Sequence, residues 1–167
     1  MPAQPSVPSP IGEGVVVAET GRGRFQVEAR TATSDFLVDE PIPDGGLGSG
    51  PGPYDLLSAA LGACTAMTVR LYAQRKGWPL ERVQVSVLHH RATLQARDLF
   101  DRTIELRGAL DEEQRDKLIQ VAQRCPVHLT LERGADVRTT LSASEPTPPP
   151  SAAAGEHMRD MEEACDG

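Results

Sequence analysis

The stretch that decides the fold is YDLLSAALGACTAMTVRLYAQRK, residues 54–76. Pro53 suits the first turn of a helix and Gly77 suits its exit. Between them Leu57, Leu61, Cys64, Met67, Thr68 and Leu71 recur at helical spacing. The segment therefore predicts one long helix with Cys64 on its apolar stripe. Ser58, Ala59, Ala60, Gly62, Ala63 and Ala66 surround that cysteine. A face this small lets another backbone approach closely, which gives a reason for Gly62, whose cost inside a helix is up to about 1 kcal/mol relative to Ala.

On the N-terminal side of the helix, residues 41–53 hold Gly45, Gly46, Gly48, Gly50 and Gly52 with four prolines, which predicts a connecting loop. No Lys-Ser/Thr follows, so it is not a phosphate loop. Further out, residues 14–20 and 25–30 flank Gly21-Arg22-Gly23. Phe25, Val27 and Ala29 alternate with Gln26, Glu28 and Arg30, the pattern of a hairpin strand, and residues 33–38 predict a third strand. On the C-terminal side, Val83, Val85 and Val87 alternate with Gln84, Ser86 and Leu88, and Ile104 and Leu106 with Thr103, Glu105 and Arg107. These read as two strands of a long hairpin turning near residues 96–99, its scattered charges forming a solvated face. Asp111 and Gln114 have the spacing of a capping box. In the helix they open, Leu118, Ala122 and Cys125 share a stripe. Pro126 interrupts that helix and starts a short second one over residues 127–132, ended by Gly134. Residues 136–141 predict a last strand. The order of elements is that of an α+β fold.

The ends differ from the middle. Residues 1–12 carry several prolines and no apolar period. Residues 142–167, SASEPTPPPSAAAGEHMRDMEEACDG, are rich in Pro, Ala and acid. Both are expected to be disordered, because neither has the apolar surface to offset its ordering entropy. Residues 13–141 then form one domain. The net charge of -7 and the absence of a Lys/Arg cluster argue against nucleic acid as a partner. The least polar run, residues 56–69, is short for a membrane span. With no signal-peptide pattern at the start, a cytoplasmic protein is expected.

Three cysteines, Cys64, Cys125 and Cys165, lie far apart in the chain. Such a set argues against a structural disulfide framework and leaves buried thiols, catalysis or redox sensing. Cys125 would cap the helix that starts at Pro126, where free N–H groups favour a thiolate, with Arg124 beside it. It could equally be a small apolar residue filling a helix end. Cys64 has no charged neighbour within a turn and reads, taken alone, as a packed core residue. His128 follows Cys125 by three positions, residue types that suit an acyl-transfer nucleophile, but no second motif supports a hydrolase. His89, His90, Cys125 and His128 lack the spacing of a zinc site, so no metal is expected.

Taken together, DEPIPDGGLGSGPGPYDLLSAALGACTAMTVRLYAQRKG (residues 39–77) and CPVHLTLE (residues 125–132) resemble the OsmC/Ohr family, the osmotically induced and organic hydroperoxide resistance proteins. The likeness covers roughly residues 14–141 and is nearest to the OsmC-like branch. The resemblance implies an intertwined homodimer with antiparallel sheets wrapped around a long central helix. It also implies a thiol-dependent peroxidase that needs no cofactor. Cys64 would be the peroxidatic cysteine, oxidised by a hydroperoxide to a sulfenic acid, and Cys125 the resolving one. A dithiol reductant, lipoyl-type in some members, would reset the pair. Peroxidases of the family place an Arg and a Glu near the first cysteine. Asp55 is the counterpart for the Glu, one position nearer Cys64 than the family's acid and with a shorter reach. It is equally a first-turn acid favouring the helix dipole. Arg30 is the candidate for the Arg, ahead of Arg22, Arg24 and Arg70; otherwise it is a solvated strand end. Cys165 has no family counterpart and is expected to be exposed and dispensable. The alternative to an enzyme is a non-enzymatic dimeric module that binds a small molecule or senses redox state.

Overall fold

The computed structural model describes residues 14–143 and 155–166. The fold is α+β. Strands β1 (Val16–Glu19), β2 (Val27–Arg30) and β3 (Asp35–Val38) form an antiparallel sheet in chain order. The register sets Val17, Ala29 and Phe36 side by side, and Glu19, Val27 and Val38 in the same phase two residues on. One face of this sheet is therefore largely apolar. Val17 and Phe36 are nonetheless exposed.

A loop containing a short turn of 3₁₀-helix (Ile42–Asp44) leads into helix α1 (Pro53–Lys76). Asp39 organises the loop. Its buried carboxylate accepts the Glu40, Leu47 and Ser49 backbone N–H groups at 2.9, 3.0 and 3.3 Å and the Ser49 hydroxyl at 2.7 Å. The Ser49 hydrogen bond, ahead of the others, holds that carboxyl below its ordinary range. Gly50 is required by close approach, since a Cβ there would lie 2.2 Å from the Leu37 carbonyl oxygen.

Helix α1 ends at Gly77 in the left-handed region, as its glycine predicts. By length and composition it would suffice to cross a bilayer. Within the protein it is the hub against which strand β4 and three further helices pack. Strands β4 (Leu80–His90) and β5 (Leu99–Gly108) form the long hairpin, in register from Arg82↔Arg107 to His90↔Leu99. The turn between them is longer than the sequence suggests, occupying residues 91–98. Helix α2 (Glu112–Ala122) opens with the expected capping box: Asp111 accepts the Gln114 N–H at 2.8 Å and Gln114 accepts the Asp111 N–H at 3.1 Å. Helix α3 (Pro126–Arg133) follows after a break. The main core joins Val69, Tyr72 and Ala73 of α1 to Leu80, Leu110, Leu118, Val121 and Ala122.

Gly62 faces Val85 and Val87 of the protein's own hairpin. A Cβ added there would sit 3.6 Å from the nearest Val87 carbon, in ordinary contact. Leu57 and Met67, expected on the apolar stripe, are exposed, and the buried face turns through Leu61, Cys64, Thr65, Thr68, Val69 and Tyr72 instead.

Two expectations are corrected. Residues 136–141 form no strand, because no described strand edge pairs with them; Val137 and Leu141 are almost fully exposed. The second concerns the tail, whose residues 156–165 are helix α4 (Glu156–Cys165), packed on α1 and α3. Met161, Ala164 and Cys165 are buried there, so Cys165 is not an exposed thiol. Its sulfur donates to the Thr68 carbonyl at 3.7 Å, and Arg75 pairs with Asp166 at 2.7 Å and donates to the Glu162 carbonyl at 3.1 Å. The segment 1–12 and residues 144–154 of the tail lie outside the described residues.

Candidate active site

Cys64 and Cys125 stand 61 positions apart in the chain, yet with Leu61 they form one buried cluster. Both are free thiols, 2% and 0% exposed. The break between α2 and α3 brings them together. Pro126 occupies the first position of α3, its fixed φ and missing N–H being harmless there. Cys125 becomes the N-cap, with extended backbone, and its sulfur accepts the His128 N–H at 3.4 Å. The neighbouring Val127 N–H donates to Cys64 at 3.4 Å. The N-terminus of one helix thus serves both sulfurs.

Three further groups complete the site. The Thr65 hydroxyl lies 3.6 Å from the Cys125 sulfur. Arg102, on β5, donates through Nη1 to Thr65 Oγ1 at 2.8 Å and to the Ala122 carbonyl at 3.1 Å, which leaves that nitrogen 3.9 Å from Cys125 Sγ. His157, on α4, has its Nε2 3.2 Å from Cys64 Sγ. Leu61, Val87, Phe100, Val127 and Leu131 pack around the sulfurs. Phe100 continues into a ring stack, with His89 at 4.8 Å and Tyr54 on His89 at 4.2 Å.

The surroundings divide the two thiols. Cys125 is held down to about 5, first by the hydrogen bond it accepts from Cys64, then, against the cost of burial, by Thr65, the His128 amide and the charge of Arg102. Cys64 is pushed up, as the donor of that bond and through burial. The surroundings therefore favour the thiolate at Cys125 over one at Cys64. Burial also pushes the Cys165 thiol up.

The other residues singled out from the sequence lie elsewhere in this chain. Arg30, at the end of β2, pairs with Glu28 at 3.4 Å, both about half exposed. Asp55 accepts the Gly52 N–H at 2.9 Å and so closes the first turn of α1. Arg70 donates to the carbonyls of Leu80 and Glu81, and Arg24 lies over the Phe25 ring. The His128 ring lies 3.8 Å from Glu132, one turn on. His89 and His90 bond to Asp98 and Asp101, each at 2.8 Å. Among the described residues no three His, Cys, Asp or Glu side chains converge as a metal would require.

Arg102 and His157 are the residues that the sequence reading missed. Arg102 had a signal, since it lies in phase with Phe100, Ile104 and Leu106, the inward face of β5. His157 precedes Met161, Ala164 and Cys165 by four, seven and eight positions, one stripe of a helix.

Comparison with known proteins agrees with this architecture. The sequence profile of the family described as OsmC-like protein matches residues 46–140, more than half of the chain. The protein belongs to the OsmC-like family. Several solved structures share its fold. An OsmC-like protein from Mycoplasma pneumoniae is 20% identical with a TM-score of 0.63, over 74% of this chain and 89% of that one. The organic hydroperoxide resistance protein OhrB of Bacillus subtilis is 19% identical with a TM-score of 0.51, over 71% and 89%. An organic hydroperoxide resistance protein OsmC from Legionella pneumophila is 19% identical with a TM-score of 0.51, over 74% and 90%. No curated protein matches the chain.

Proposed function

We propose that this protein is a thiol-dependent peroxidase of peroxide defence, acting in the cytoplasm on organic hydroperoxides and on hydrogen peroxide. The observation that carries the reading is the convergence of Cys64 and Cys125 in one buried cluster at the N-terminus of α3, where successive backbone N–H groups donate to the two sulfurs. Membership of the OsmC-like family supports it, as do the names of the two hydroperoxide resistance proteins that share the fold.

Cys64 is the attacking sulfur and Cys125 the resolving one. The Cys64 thiol first gives up its proton within the site. The Cys64 thiolate then attacks the terminal oxygen of the hydroperoxide. An S–O bond forms, the O–O bond breaks, and its electron pair leaves on the alkoxide, which takes up a proton to become the alcohol. Sulfur is oxidised to the sulfenic acid and the peroxide is reduced. The Cys125 sulfur then displaces the hydroxyl from Cys64 as water, giving the disulfide. A dithiol of lipoyl type restores both thiols by exchange. The working form is a homodimer. The apolar sheet face with Val17 and Phe36 exposed is the surface a partner's elements would cover.

The test is to add one equivalent of cumene hydroperoxide to the reduced Cys165→Ala protein. Both remaining thiols disappear in one rapid step, and an intrachain Cys64–Cys125 disulfide is found by mass spectrometry. Thiols that persist for hours in folded protein would refute the reading. A second reading, a dimeric redox-sensing or ligand-binding module, draws support from the near-complete burial of both sulfurs. Slow disulfide formation without turnover in the presence of a dithiol would favour it.

A further inference from the structure

The pair has an unequal division of help. Arg102 and Thr65 attend Cys125, whereas the attacking sulfur assigned above is Cys64. Within hydrogen-bond distance of Cys64 Sγ stand the Val127 amide and the His157 imidazole. The imidazole alone of these two can accept a proton. Its Nε2, at 3.2 Å, is also nearer than the amide. His157 is held there by a packed element: Met161, Ala164 and Cys165 bury the same face of α4, and Arg75 ties its C-terminal turn to α1.

We propose that His157 is a catalytic acid–base residue for Cys64, taking the proton of its thiol and returning it to the alkoxide that leaves the hydroperoxide. The inference rests on the peroxidase reading and adds to it the source of the proton. A Cys64 S–H has one proton to give. Given to Cys125, it ionises Cys64 only by protonating the resolving sulfur, which must later attack. Given to His157, it leaves Cys64 as a thiolate beside an imidazolium, with the Val127 N–H also aimed at it. Attack by sulfur on the terminal oxygen expels RO⁻ beside that imidazolium. The N–H proton passes to the alkoxide oxygen, giving ROH and neutral imidazole. No other oxidant or reductant enters this step. The Arg102 charge, placed on the far side at Cys125, holds the resolving thiol ionised for its later attack on the sulfenic acid.

The experiment compares the full-length protein with His157→Gln and His157→Gly. Cysteine alkylation by iodoacetamide at neutral pH is followed peptide by peptide, alongside consumption of cumene hydroperoxide. In His157→Gln, Cys64 alkylation is expected to fall about tenfold, as loss of an opposite charge beside a titrating group predicts. Peroxide reduction is expected to fall on the order of 100-fold. Cys125 alkylation is expected to stay as in the parent. Protection of Cys165 reports that α4 remains docked. Added imidazole is expected to restore Cys64 reactivity in His157→Gly. A Cys64 rate in His157→Gln within about twofold of the parent, well inside the change expected for a lost charge partner, overturns the proposal, as does failure of imidazole to restore His157→Gly. The two readings separate cleanly. If the parent reduces hydroperoxide and His157→Gln does so equally fast, the role of His157 is refuted while the peroxidase stands. If no form reduces hydroperoxide but Cys64 alkylation follows His157, the peroxidase falls and the proton-accepting role stands.

Discussion

Replacing Arg102 by Gln should raise the Cys125 pKa by about 1–3 units, the range for loss of one close opposite charge. The guanidinium nitrogen lies 3.9 Å from the sulfur. At an effective dielectric of about 20, a unit charge at that separation is worth about 4 kcal/mol to the thiolate, or about 3 units as a ceiling. The ceiling is not reached, because the same nitrogen already gives hydrogen bonds to Thr65 and to the Ala122 carbonyl, and because the bond from Cys64 remains the first cause of the depression. From its value of about 5, Cys125 would move towards neutrality, so a smaller share of the pair would be ionised at pH 7. The assay is the pH midpoint of Cys125 alkylation, read on the Cys125 peptide, in parent, Arg102→Gln and Arg102→Lys. The lysine variant keeps the charge and should lie between the other two. A Gln variant that folds normally and titrates with the parent midpoint would show that Cys64, Thr65 and the helix N-terminus depress this thiol without Arg102.

The same shift has a consequence for stability. With a folded value of about 5 against an ordinary 9.0, the unfolded chain binds more protons at Cys125 between those pH values, so stability rises with pH across the window and is lost as pH falls through 5. Cys64, shifted upward, adds stability below its ordinary value that declines above it. Urea midpoints measured from pH 5 to 9 should rise in the parent relative to Cys125→Ser; parallel curves would contradict the assignment. Gly62→Ala should stabilise the protein, by up to about 1 kcal/mol, since its Cβ meets Val87 at ordinary contact distance. A lower melting temperature would show that another surface needs that space.

How much of this was legible in the sequence follows from how local each signal is. Helix α1 was readable because its period, its Pro53 and its Gly77 all lie within one segment. The hairpins were readable from alternation, and α2 from Asp111 and Gln114. The meeting of Cys64 with Cys125 has no local trace. From residue spacing each could be a packed apolar residue, and the family resemblance linked them before the geometry did. Arg30 and Asp55 were drawn from that resemblance. In this chain they are engaged with Glu28 and Gly52, and the cation beside the sulfurs is Arg102.

The C-terminal helix shows why composition misleads over a short range. Proline, alanine and acid dominate residues 142–167, and averaged over that length the segment cannot offset its ordering entropy. Ten of those residues nevertheless place Met161, Ala164 and Cys165 on one stripe, and a stripe needs no high average if a surface is ready to receive it. The surface is the flank of α1 that exposes the Thr68 carbonyl and Arg75 to the incoming turn. Helical stability in such a case comes from the packed face rather than from propensity. The docking then has a chemical result, because the first turn of the same helix ends its approach with an imidazole on the sulfur of Cys64. A segment that looks dispensable by composition thereby supplies an imidazole 3.2 Å from the thiol that the site needs ionised.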